Sequence, residues 1–168
     1  MHSRARTSLH VAAALVVALV LTACGSSSSS SGSGGITLKD AWVKSASSGM
    51  TAAFVTIVND GDADVLVSAT TKASDMTQLH EMVMKDGAMV MQEKKEGIAV
   101  PAKGEVVLEP GGNHIMLMKI TGPIKAGDTV AFTLTFKSGK TLEMSAVAKD
   151  YDGAKESYQP SASMSSGM

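Results

Sequence analysis

Between Ile36 and Ala148, apolar and polar positions change over short runs broken by small polar clusters, and no segment carries a sustained 3.6-residue period. Ile36–Val43 (ITLKDAWV) and Thr51–Asn59 (TAAFVTIVN) are rich in β-branched residues and read as strands. Val65–Thr70 follows the acidic turn Gly61-Asp62-Ala63-Asp64. Leu79–Met84 and Ala88–Gln92 flank Lys85-Asp86-Gly87, a hairpin signal because Asp-Gly supplies the positive φ that tight turns need. Val106–Leu108 and His114–Ile120 surround Pro110-Gly111-Gly112, and Thr129–Phe136 and Thr141–Ala148 flank Lys137-Ser138-Gly139-Lys140. Short strands with a turn signal about every ten residues predict an all-β domain, an antiparallel sandwich or barrel, over residues 36–149.

The two ends follow other rules. Arg4 and Arg6 precede an apolar run, Val11 to Ala23, which at 13 residues falls short of the ~20 that a membrane-spanning helix needs. Residues 1–23 therefore read as a signal segment. It ends in Leu21-Thr22-Ala23-Cys24, which resembles the lipobox of bacterial lipoproteins, and Cys24 is the chain's only cysteine. The resemblance implies a lipidated Cys24 at the mature N-terminus, with two acyl chains as a lasting anchor. Residues 25–35 are Gly and Ser alone, a flexible tether with an r.m.s. span of about 18 Å. A Ser-rich tail, 150–168, reads as disordered.

Composition then removes several classes of function. Beyond Cys24 there remain 13 basic and 16 acidic residues, a net charge of −3, which supplies no basic footprint for nucleic acid. Aromatic residues are scarce at 4%, too few for a stacking platform. No Ser-His-Asp or Cys-His set is available and no carboxylate pair is suggested by spacing, so no enzyme is expected. Methionine stands out at 12 residues, seven of them between positions 76 and 118.

Those methionines accompany the only two histidines beyond the signal segment. His80 lies in His80-Glu81-Met82 and His114 in His114-Ile115-Met116. Residues i and i+2 of a strand share a face, so each segment can offer an imidazole beside a thioether, with Ile115 and Leu117 turned to the core. The turn at Lys85-Asp86-Gly87 brings Met89 and Met91 back alongside. One His-x-Met alone says little, because methionine is a common core filler; Met76 and Met144 are assigned to the core on that ground. Two such pairs, with every mature histidine used, favour metal binding. Soft, neutral thioethers with imidazole suit Cu(I). Zinc prefers thiolates, several histidines or carboxylates, and a blue-copper centre needs a cysteine.

The stretch from Leu79 to Thr135 is similar to the periplasmic copper chaperone family PCu(A)C. The matching phrases are His80-Glu81-Met82, Asp86-Gly87-Ala88-Met89-Val90-Met91, Ile98-Ala99-Val100-Pro101-Ala102, Glu109-Pro110-Gly111-Gly112-Asn113-His114-Ile115-Met116-Leu117-Met118 and Lys125-Ala126-Gly127-Asp128. Ten residues separate His80 from Met91 and 22 separate Met91 from His114, against a family pattern of His, ten residues, Met, some twenty-odd residues, His-x-Met. The resemblance implies a cupredoxin-like Greek-key β-sandwich. It also implies a Cu(I) site of His80, Met91, His114 and Met116, with Met82 as an auxiliary sulfur. It further implies delivery of copper to a membrane acceptor, a cytochrome c oxidase subunit or its assembly factor. Two alternatives stand beside it: a lipoprotein that sequesters copper without donating it, and a metal-free structural β-sandwich.

Overall fold

The computed structural model describes residues 35–152. The signal segment, Cys24, the tether up to residue 34 and the tail from residue 153 lie outside the described residues, and with them the lipidation reading and all but the first three residues of the tail. Among the described residues there are ten strands and no helix: β1 (Ile36–Lys44), β2 (Thr51–Asn59), β3 (Asp64–Thr71), β4 (Thr77–Lys85), β5 (Ala88–Glu93), β6 (Ile98–Val100), β7 (Gly104–Leu108), β8 (His114–Leu117), β9 (Thr129–Phe136) and β10 (Thr141–Lys149). They form one sheet in the order β5-β4-β8-β2-β1-β10-β9-β3-β6, with β7 also on β2. All pairings are antiparallel except β1 with β10.

The sheet encloses one continuous apolar core. Ile57 of β2, Leu66 of β3, Ile115 and Leu117 of β8, and Phe132 and Leu134 of β9 are all buried within it. The alternation along β9 and β10, buried or half-buried at every second residue, reflects a sheet with one face inward and one outward. A second, smaller buried cluster lies on the other face. Phe54, Met91 and Met116 are buried, at 3%, 7% and 7% exposure, yet do not belong to this core cluster. They pack around the histidines on the opposite side of β2 and β8.

A bulge in β1 decides what reaches that opposite side. Lys39 pairs with Thr56 and Trp42 with Phe54, so three steps along β1 match two along β2, and Asp40 takes a positive φ of 53°. Such an extra residue shifts the alternation by one. Ile36 and Leu38 face the core before the bulge; Ala41 and Val43 face it afterwards. Trp42 is thereby turned to the outer face, where its ring lies 4.4 Å from that of Phe54.

The structure departs from the sequence expectations in particular places. β6 was not expected: it is three residues long and pairs only with β3, and so short a run carries too little alternation to be read. It is set by the turn before it, where Gly97 has a φ of +85° and any Cβ would come within 2.5 Å of the Leu66 carbonyl oxygen. β8 ends at Leu117 instead of Ile120, because beyond Met118 the Lys119 carbonyl accepts from the Ser74 hydroxyl and the Asp75 N–H, and the Ile120 N–H donates to the Gly49 carbonyl. Met76, assigned to the core, is half exposed, whereas Met144 is buried as expected. Of the tail, residues 150–152 are described, and there Tyr151 packs edge-on against Trp42 at 5.4 Å.

Candidate metal centre

β8 lies between β4 and β2, and its register brings the two histidines together: His80 of β4 stands directly opposite His114 of β8. Their ring centroids are 5.7 Å apart, and both side chains are 2% exposed. One row across the sheet face then runs from Trp42 through Phe54 and His114 to His80, with the Phe54 and His114 rings 6.3 Å apart. The thioethers arrive from both flanks. Met116 follows His114 on the same face, and the β4–β5 hairpin sets Met91 opposite Met82. The His114 Nε2 atom lies 3.0 Å from the Met91 sulfur.

Hydrogen bonds fix which nitrogen of each ring offers a lone pair. His114 Nδ1 is 3.0 Å from the Gly112 carbonyl oxygen and Nε2 is 3.0 Å from the Met91 sulfur, and neither partner has a proton to give. In the neutral ring the carbonyl, the stronger acceptor, takes the Nδ1–H, and Nε2 keeps its lone pair on the Met91 side. His80 Nε2 donates to Gln78 Oε1 at 3.0 Å, which leaves the lone pair on Nδ1, an atom shielded from solvent. A carbonyl or amide oxygen holding the far nitrogen is the usual way a ligand imidazole is oriented. Burial pushes the His80 pKa down to about 4, with the neighbouring His114 ring adding to the effect. The imidazole is thus neutral, the form that binds metal, throughout the physiological range.

All four expected ligand residues, His80, Met91, His114 and Met116, fall on this one patch, and Met82 stands half-buried beside Met91. Met89 does not join them: it pairs with Met84 at the hairpin tip and is 52% exposed. Among the described residues no group of three or more His, Cys, Asp or Glu could hold a metal, and the donors that accompany the two imidazoles on this patch are thioethers. A cleft of about 240 Å³ reaches the patch, lined by Met91, His114 and Met116 together with Lys44, Met50 and Phe54. Sequence reasoning missed Gln78, Phe54 and Met50. Gln78 was within reach, being two residues before His80 and on the same face. Phe54 and Met50 come from β2 and the loop before it, and only the β2–β8 register places them here.

Residues 36–148 match the family described as "Putative lipoprotein LpqE-like". The chain belongs to the LpqE-like lipoprotein family. A family relative, "Putative lipoprotein Lxx21020" of Leifsonia xyli subsp. xyli (strain CTCB07), is 45% identical over 126 residues, covering 74% of this chain and 76% of its own length. Among solved structures, this LpqE-like chain is similar to the copper-bound PCuAC domain from PmoF2, with a TM-score of 0.58 and 19% identity over 70% of this chain and 95% of that one. It is also similar to the Cu(I)-bound DR1885 protein of Deinococcus radiodurans, with a TM-score of 0.53 and 27% identity over 74% and 87% of the two chains. The shared architecture is the cupredoxin-like β-sandwich, as the sequence resemblance implied.

Proposed function

We propose that this LpqE-like protein is an extracytoplasmic copper carrier. It holds one Cu(I) between His80, Met91, His114 and Met116 and passes it to a membrane-bound acceptor, a cytochrome c oxidase subunit or its assembly factor. The observation that carries the reading is the 3.0 Å approach of His114 Nε2 to the Met91 sulfur, with His80 opposite, on a buried patch separate from the core. Similar solved domains are described as copper-bound and Cu(I)-bound, which supports copper as the cargo. Thioethers and imidazoles are neutral and soft, a set suited to Cu(I) and poor for hard cations. Without thiolates the metal is held firmly but not at the strongest end of the scale, which suits release. Lipidation at Cys24 would keep the domain near membrane acceptors, where a raised effective concentration makes modest pairwise affinity sufficient.

Titration of Cu(I) against a competing chelator tests the site. Met91→Leu and Met116→Leu conserve volume and should cost at most about 1.5 kcal/mol of stability. Each should nonetheless weaken Cu(I) binding severely. Unchanged affinity in both variants would overturn the ligand set. Delivery is tested in the cell by deleting the gene under copper limitation. Loss of oxidase activity, restored by the wild type and not by His114→Ala, supports transfer; normal oxidase activity with raised sensitivity to excess copper points to sequestration.

A further inference from the structure

The β4–β5 hairpin carries more sulfur than the buried patch uses. Its register pairs Met82 with Met91 and Met84 with Met89, and alternation puts all four on the face that bears His80. Exposure rises steadily outward: His80 is 2% and Met91 7% exposed, Met82 is half-buried, and Met89 and Met84 at the tip are 52% and 67% exposed. Core packing does not account for the outer pair, which touches solvent. Strand propensity does not either, since exposed strand positions favour β-branched and aromatic residues. The tip itself is held tightly, with Asp86 and Gly87 both at positive φ (52° and 82°) in a two-residue turn.

We infer that Met84 and Met89 form a second, surface-exposed site for a soft monovalent cation, Cu(I) in the cell, from which metal moves inward along the hairpin. The inference extends the proposed Cu(I) function of the buried patch. Directly opposed residues on one face have Cβ atoms about 4.5–5.5 Å apart, so two flexible thioethers can close on one ion. Two neutral sulfurs make a weak, quickly exchanging site, as a loading position requires. The next pair inward, Met82 and Met91, is roughly 7 Å along the strands, two residues at 3.3–3.4 Å each. Methionine side chains reach across such a step, so an ion can gain an inner thioether before it loses an outer one. Met91 ends the path, because its sulfur already lies 3.0 Å from His114 Nε2. Each step exchanges one neutral ligand for another, and no electron or proton is transferred.

The test uses the full chain in detergent, labelled at the methionine methyl carbons and titrated with Ag(I) as a closed-shell probe of soft-metal sites. The first equivalent should shift the Met91 and Met116 methyl resonances, and the second those of Met84 and Met89. The Met84→Leu/Met89→Leu variant should bind a single equivalent of Ag(I), with the Met91 and Met116 shifts retained, and loading from a weak Cu(I) complex should slow. Met84 and Met89 resonances that stay in place through two equivalents, or a second equivalent bound unchanged by the double variant, would overturn the tip site. If Met84 and Met89 shift while Met91 and Met116 do not, the tip site stands and the buried-site reading falls.

Discussion

His80 and His114 owe their chemistry to what holds their outer nitrogens. The Gly112 carbonyl and the Gln78 side chain each take one ring N–H, which leaves the His114 lone pair on Nε2, 3.0 Å from the Met91 sulfur, and the His80 lone pair on the buried Nδ1. Gln78 is thus a positioning residue. Gln78→Ala should lower Cu(I) affinity by roughly 10- to 100-fold, the range typical for orienting partners, without changing the number of ions bound. Chelator competition reads this directly, and an unchanged affinity would detach Gln78 from the site. The depressed His80 pKa gives a second expectation. Between the unfolded value of about 6.5 and the folded value of about 4, the unfolded chain binds more protons, so the metal-free protein loses stability as pH falls through that window. The loss should reach on the order of 3 kcal/mol by pH 4 and be absent above pH 7. Denaturant unfolding of wild type and His80→Gln at several pH values measures it, and equal slopes in both would remove His80 as the cause.

Strand pairing does what the residues alone cannot announce. The His-x-Met pairs, the Asp-Gly hairpin and the strand runs were legible because alternation and turn chemistry are local. The row Trp42–Phe54–His114–His80 was not, because it depends on how β1, β2, β8 and β4 line up across the sheet. Read as one alternating strand, Ile36–Val43 puts Trp42 on the same face as Ile36 and Leu38; the bulge at Asp40 reverses this. Met76 and Met89 show the same limit, since neither hydrophobicity nor spacing tells a buried thioether from an exposed one. The row itself can be checked. Trp42 is the only tryptophan, and Phe54 bridges its ring to that of His114. Cu(I) binding should therefore change Trp42 emission, with the change saturating at one equivalent. Emission indifferent to copper would show that the ring row does not feel the site.

For the molecule as a whole, the decisive fact is that the candidate site and the core occupy different faces of the sheet. None of His80, Met91, His114 or Met116 belongs to the core cluster, which is built from aliphatic residues, the phenylalanines of β9 and Met144. Folding is therefore expected to proceed without metal, unlike that of the small metal-dependent domains whose binding energy is their folding energy. A carrier needs this separation, because it must keep its shape when empty in order to be reloaded. The metal-free chain should unfold cooperatively, with near-native β content in far-UV circular dichroism. Added Cu(I) should stabilise it only by mass action, by roughly 2.7 kcal/mol at a hundredfold excess over Kd, which corresponds to a Tm increase on the order of 10 °C. Met91→Leu should leave the metal-free Tm nearly unchanged and abolish most of the increase. A metal-free chain without cooperative unfolding would show instead that the patch is needed to complete the fold.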